Sequence, residues 1–218
     1  MMKGKQMACV IATGILVLGS AVVLTKDSIS EEKVIETAGM VTQNADGSAS
    51  RDQNVMEVCS REEKQEIEDL IGQYYEWMTD GDVEAIRQIT PVVSEAFQKE
   101  IESNHKFVET YQNLKIHMRK AKIRTGYAVF VEYEMKIRGI DTPVPGLGDL
   151  YVCQRQDGTY WICNSLYDED AKAVLAEAAK DGEVKMLVES VEAKFEKAKE
   201  KDKILGSALT DLEKSVGK

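Results

Sequence analysis

Histidine, proline and cysteine are scarce in this 218-residue chain, at two, three and four residues, and aromatic side chains make up only 6%. Two histidines and widely spaced cysteines leave little from which to build a zinc site or a disulfide-stapled scaffold. Basic residues are outnumbered by acidic ones, 28 to 38, for a formal charge of −10. That balance argues against a nucleic-acid backbone or an anionic lipid surface as partner, since both need clustered Lys and Arg. Phosphate-loop glycines are missing too. Pro145-Gly146-Leu147-Gly148 contains G-x-G but lacks the further glycine, lysine and helix of a nucleotide site, and reads as a turn. With 43% hydrophobic and 30% charged residues, the chain is nevertheless rich enough to fold.

One long apolar run is present. Met7 to Leu24 is eighteen residues broken only by Thr13, Ser20 and two glycines. As a helix it would be about 27 Å long, close to the hydrocarbon thickness of a bilayer. Lys3 and Lys5 precede it, and Asp27, Glu31 and Glu32 follow it. The positive-inside rule then puts the N-terminus in the cytoplasm and residues 27–218 outside, as a single-pass protein of the cell membrane. Gly19-Ser20-Ala21 offers small residues for a signal peptidase, but Val22, Val23 and Leu24 prolong the apolar run, so a retained anchor is favoured over a cleaved signal. Residues 1–26 carry +3, and subtracting this from −10 leaves −13 on the remainder, the charge of a well-solvated exterior.

Residues 27–59 are polar and small, with too few large apolar side chains to offset their ordering entropy, and read as a stalk. Cys59 at its end has no sequence partner nearby. Ser60-Arg61-Glu62-Glu63 matches a capping box. Behind it Ile67, Leu70, Ile71, Tyr74, Tyr75 and Met78 recur at helical spacing. Asp80-Gly81-Asp82 ends this helix and caps a second, with Val83, Ile86 and Ile89, which Pro91 closes. Val93, Phe97, Ile101 and Val108 mark one side of a third.

After Tyr111 the period falls from 3.6 to 2. Leu114, Ile116 and Met118 alternate with Lys115, His117 and Arg119, with Ile123 as a continuation beyond a bulge near Lys120-Ala121. From Tyr127 to Ile137, Tyr127, Val129, Val131, Tyr133, Met135 and Ile137 share one face. Glu132, Glu134, Lys136 and Arg138 share the other, which reads as solvated. Leu150–Gln156 and Thr159–Ser165 form two more strands joined at Asp157-Gly158, a strong hairpin signal. A two-residue loop there would put Cys153 and Cys163 on opposite faces and forbid a bridge; a three-residue loop of Asp157, Gly158 and Thr159 would set them opposite one another. Buried thiols are the expectation.

Asp168 caps a helix through Ala171, Val174, Leu175 and Ala178, ended by Asp181-Gly182. From Val184 a heptad runs, with Val184, Val191, Ala198, Leu205 and Leu212 at a and Val188, Phe195, Asp202, Leu209 and Val216 at d; nine of these ten positions are apolar. Asp202 and Gly206 predict a break near 202–206. The stripe either folds back on its own domain or pairs with another molecule. The 3.5-residue repeat favours helix pairing, for instance a homodimer through residues 183–218.

Three helices ahead of an antiparallel sheet make an α+β plan, with the sheet strongly curved and roofed by helices. Residues 61–165 resemble the nuclear transport factor 2-like (cystatin-like, cone-shaped) superfamily. The resemblance is carried by the Tyr74-Tyr75 helix, the Thr79-Asp80-Gly81-Asp82 turn and the Tyr111-Gln112-Asn113-Leu114-Lys115-Ile116 entry to the sheet. Thr142-Pro143-Val144-Pro145-Gly146-Leu147, Leu150-Tyr151-Val152 and Asp157-Gly158-Thr159-Tyr160-Trp161-Ile162 are similar to secreted or membrane-anchored members from Gram-positive bacteria. The resemblance covers about half of the chain, and its motifs are turn and core features. The chain then divides into four regions, of which only the cone domain rests on the resemblance: anchor 1–26, stalk 27–59, cone domain 60–167 and helical extension 168–218. Members divide into enzymes, such as ketosteroid isomerases and polyketide cyclases, and non-catalytic binding or dimerisation domains; fold alone does not choose between them.

An isomerase would need a carboxylate base facing an apolar pocket and an acid or phenol beside it. Glu132 and Glu134 lie in the charged alternation, and Asp149 reads as a loop residue. His117 alternates with Lys115 and Arg119 and should point outward, as should His105. No residue is therefore assigned a catalytic, cofactor-binding or metal-binding role, and no cofactor is expected. Tyr74, Tyr75, Trp77, Tyr111, Tyr133 and Trp161 either line a pocket in the cone or form ordinary core. The expected function is non-enzymatic: an anchored extracytoplasmic domain that binds a partner protein or cell-envelope component. A small-molecule enzyme or carrier of the polyketide-cyclase type and an oligomerisation module are the alternatives.

Overall fold

The computed structural model describes residues 59–163 and 168–207. The anchor, the stalk up to residue 58, Asn164-Ser165 and the heptad positions Leu209, Leu212 and Val216 lie outside the described residues. No helix among the described residues is long and apolar enough to cross a membrane.

Helix α1 spans Arg61–Asp80, α2 Val83–Ile89 and α3 Glu95–Phe107. The capping box at Ser60 is formed as the sequence implies: Glu63 N donates to Ser60 Oγ at 3.1 Å and Ser60 N to Glu63 Oε2 at 2.9 Å. Asp82 and Ser94 cap α2 and α3 through the backbone amides of Ala85 and Phe97. Gly81 closes α1 with φ +73°, a left-handed conformation in which a Cβ would also stand 2.9 Å from the Cβ of His105. Ile67, Ile71, Tyr74, Met78, Ile86, Phe97 and Ile101 are sealed from solvent, giving the three helices one shared apolar side.

Four antiparallel strands follow in the order β1-β2-β3-β4: β1 Val108–Lys120, β2 Gly126–Ile137, β3 Val144–Gln154 and β4 Tyr160–Cys163. Several boundaries differ from the sequence pattern. Strand β1 begins at Val108, opposite Ile137, instead of at Leu114. Register shifts between Val108 and Thr110 and between Gln112 and Lys115, the latter with Asn113 at φ 57°, hide its alternation. Ile123 does not continue the strand; it is exposed in the turn that Ala121 N closes by donating to Gly126 O.

Strand β3 starts six residues before Leu150, so Pro145-Gly146-Leu147-Gly148 is strand and not turn. Pro145 is tolerated because β4 pairs only with residues 151–154, leaving that end of β3 without a neighbour to receive its missing N–H. The glycines leave room for rings. A Cβ on Gly146 would lie 2.4 Å from a Tyr133 ring carbon, and one on Gly148 would lie 2.2 Å from the Tyr75 hydroxyl.

Helices α4 (Glu169–Ala178) and α5 (Gly182–Lys201) complete the chain. Helix α4 and the N-terminal part of α5 lie on the sheet face opposite α1–α3. Ala128, Phe130, Tyr151 and Cys163 from the strands pack with Ala171, Val174, Leu175 and Val184 from the helices. Helices thus cover both faces, where the sequence suggested one covered face and one charged, solvated face. Helix α5 ends at Asp202, as the sequence implied, and Asp202 caps a further turn over 203–207 through the amides of Ile204 and Leu205. The heptad residues Val184, Val191, Phe195 and Leu205 are buried within this chain, with Phe195 and Leu205 joining the main core.

Candidate functional site

Between α1, α3 and the sheet, four tyrosines meet. Consecutive positions on α1 supply Tyr74 and Tyr75, the irregular start of β1 supplies Tyr111, and the α1-facing side of β2 supplies Tyr133. The Tyr75 ring centroid lies 5.5 Å from Tyr74, 4.9 Å from Tyr111 and 5.6 Å from Tyr133, and Tyr111 lies 5.1 Å from Tyr133. Three of these four contacts are edge-to-face, the geometry that sets ring edges against negative ring faces. Tyr74 and Tyr75 are 0% and 2% exposed, so rings fill the space between the helices and the sheet.

The Tyr111 hydroxyl is tied through an amide side chain to backbone. Tyr111 Oη donates to Asn104 Oδ1 at 3.1 Å, and Asn104 Nδ2 donates to Met78 O at 3.0 Å. Asn104 is fully buried, and this chain of bonds joins α1, α3 and β1. Burial raises the phenol of Tyr75 well above its ordinary pKa, with Tyr133, Tyr74 and Tyr111 adding to the effect. Burial likewise raises Tyr111 and pushes Tyr133 up to about 12, the latter with Asp149 contributing. All three phenols are neutral at physiological pH and serve as packing, with Tyr111 also donating to Asn104.

A carboxylate base is not directed into this cluster from β3. Asp149, expected in a loop, is a buried strand residue opposite Phe130, and so shares the face that α4 and α5 cover. Its charge acts on Tyr75 and Tyr133 from the other side of the sheet. Of the six aromatics singled out in the sequence, Tyr74, Tyr75, Tyr111 and Tyr133 come together. Trp77 packs, half-buried, at the margin of the same core. Trp161 does not join them: it pairs with Cys153 on the opposite face, and the Arg155 guanidinium lies 3.7 Å above its ring.

The second face holds a polar layer that sequence alternation alone presented as exposed. Glu132 is paired with Lys115 and, across the interface, with Lys194 of α5; Arg119 pairs with Glu183 at the start of α5. Burial works against the Glu132 carboxylate, but the hydrogen bonds and charges of Lys194 and Lys115 outweigh it and hold its pKa below the usual value. His117 is half-buried here and not solvent-directed, and its Nε2 has no hydrogen-bond partner among the described residues. Burial lowers its pKa, Glu132 opposes this, and Arg119, Lys115 and Lys194 reinforce it.

A third constellation has no counterpart in local sequence. Tyr160 Oη donates to Glu63 Oε1 at 3.0 Å, tying the cap of α1 to β4 across 97 positions. The same capping amide of Ser60 and this phenol hold the Glu63 carboxyl below its ordinary pKa. Cys59 packs against the main core, and the Tyr127 phenol is raised chiefly by burial, with Cys59 adding to the effect. No family model matches the chain, and no curated protein or solved structure matches it either.

Proposed function

We propose that this chain is a membrane-anchored, non-enzymatic extracytoplasmic domain of the nuclear transport factor 2-like cone type, which binds a partner protein or a cell-envelope component. The observation that carries the reading is the interior filled by Tyr74, Tyr75, Tyr111 and Tyr133, with Asp149 on the far side of the sheet. Binding then falls to the outer surface. The cone-type fold is supported by the two irregularities in β1, since bulged strands bend, and by three helices packed on one face of the sheet. The anchor rests on the charge-flanked apolar run Met7–Leu24.

The test has two arms. In intact cells, protease added outside should digest residues 27–218, and protection until lysis would overturn the location. Titration of the full chain in detergent with planar polycyclic ketones and steroids should give no saturable heat. Saturable binding lost on Tyr75→Phe would overturn the non-enzymatic reading in favour of the polyketide-cyclase type. Among the described residues, a homodimer through 183–218 would have to draw on what the chain's own core leaves free there, including the exposed Met186 and Ile204.

A further inference from the structure

The loop joining β3 to β4 is neither of the two arrangements that local sequence allows most simply. Arg155 N donates to Thr159 O at 2.7 Å and Gly158 N to Arg155 O at 3.1 Å, with Gly158 at φ +90°. Gln156, Asp157 and Gly158 are therefore the three loop residues, and the left-handed glycine closes a turn followed by a bulge. This loop is shifted one residue from an Asp157–Thr159 loop. It sets Cys153 opposite Trp161 and Cys163 opposite Tyr151. The two cysteines consequently share one face as diagonal neighbours, and their sulfurs are in hydrogen-bond contact at 2.9 Å.

Their surroundings are unequal. Cys163 is 4% exposed beneath Ala171, Val174 and Leu175, whereas Cys153 is half-buried at the margin of that cluster. Cys59 packs on the main core, on the other side of the sheet, and does not compete for either sulfur in the folded chain.

We propose that Cys153 and Cys163 are a thiol–disulfide redox pair that closes into an intrachain staple between β3 and β4, with Cys153 as the sulfur that exchanges with external low-molecular-weight disulfides. The Cys153 thiolate attacks one sulfur of glutathione disulfide, forms a mixed disulfide and releases one glutathione thiolate. Cys163 then gives its proton to solvent, and its thiolate attacks the Cys153 sulfur. The Cys153–Cys163 bond forms, the mixed disulfide breaks, and the second glutathione thiolate leaves. Two protein thiols are oxidised by two electrons, and one glutathione disulfide is reduced to two thiols. The division of roles agrees with the thiol acidities. A hydrogen bond from Cys163 lowers the pKa of Cys153 against the opposing effect of burial, and the same bond, together with burial, raises Cys163. The inference does not depend on the anchoring or binding proposed above, because it concerns the folded chain in any compartment.

The full chain in detergent is equilibrated in glutathione buffers from reducing to oxidising, quenched with acid, alkylated and mapped by peptide mass spectrometry. The expected product in oxidising buffer is a peptide pair linked through Cys153 and Cys163, two hydrogens lighter than the thiols, with Cys59 alkylated throughout. Oxidation should raise Tm by about 5–10 °C, and Cys153→Ser should abolish that rise. Cys163→Ser should trap glutathione on Cys153. Alkylation of both cysteines in every buffer, or their linkage to Cys59 or to a second chain, would overturn the pair. Glutathione added readily to Cys163 in the Cys153→Ser variant would overturn the assignment of Cys153 as the exchanging sulfur. The wild-type map decides the first point even if Cys163→Ser does not fold.

Discussion

On one side of the sheet, Tyr74, Tyr75, Tyr111 and Tyr133 interlock beneath three helices, with a fully buried asparagine accepting from the Tyr111 hydroxyl. On the other side, α4 and α5 rest on Ala128, Phe130 and Tyr151, while Glu132, Lys194, Arg119 and Glu183 link strand to helix at the margins. The first face is held by tight apolar packing, in which removed volume leaves a cavity. The second combines a small apolar patch with part-exposed ion pairs, each of which contributes little by itself. Truncation and overpacking should therefore be felt most on the first face, and pH on the second.

The largest effect expected is that of Phe97→Ala. Phe97 is fully buried between α3 and the main core, and its truncation should cost about 3–5 kcal/mol, read from urea unfolding. A loss below 1 kcal/mol would show that α3 is not part of the cooperative core.

Next comes Gly148→Ala, whose new Cβ would stand 2.2 Å from the Tyr75 hydroxyl and 3.6 Å from its ring carbon Cζ. Overpacking should cost about 1–3 kcal/mol. Tyr75→Phe removes the oxygen and leaves an ordinary contact, so the double variant should recover most of that loss, while Tyr75→Phe alone is close to neutral because the hydroxyl has no hydrogen-bond partner among the described residues. Additive losses in the double variant would mean that β3 does not approach α1 as described.

The smallest effect lies on the second face. His117 has its pKa lowered in the folded chain, first by burial, and the groups facing it are Glu132, Arg119, Lys115 and Lys194. The unfolded chain binds this proton near the ordinary value of 6.5, so below that pH it holds more protons than the folded chain. Stability should fall as pH drops from 6.5 towards the folded-state pKa, and be fully present above 6.5. His117→Gln should flatten that part of a Tm-versus-pH curve and leave the region above pH 7 unchanged. An unaltered slope would place His117 in solvent and break the contrast between the two faces.

How much could be read in advance differed between the faces for the same reason that their energetics differ. Tyr127, Val129, Val131, Tyr133 and Met135 alternate with polar residues over the second half of β2, so one buried side was plain. Ala128 and Phe130 fall at the other parity, but Glu132, Glu134 and Lys136 dominated that side and suggested solvent. Nothing local shows that α5 returns to place Lys194 against Glu132 over 62 positions. The bulges of β1 break its period, so its alternation is legible only from Leu114, and the turn-forming propensities of Pro145, Gly146 and Gly148 mask the first half of β3. The four tyrosines are identifiable as aromatics at helix and strand positions, but their meeting point is not, and neither is the face to which β4 presents Trp161, opposite to theirs.

Local chemistry in the chain determined its punctuation: the Ser60 capping box, the Gly81 stop, the Asp168 cap, the stops at Asp181-Gly182 and Asp202, and the α+β order of elements. These features rest on side-chain-to-backbone bonds and on periods that span a few residues, which neighbouring letters specify. The folded body decided which side of the sheet each helix covers, the one-residue placement of the β3–β4 loop, and hence the shared face of Cys153 and Cys163. Those outcomes depend on burial summed over residues far apart in the chain, where a single step in register moves every side chain across the sheet.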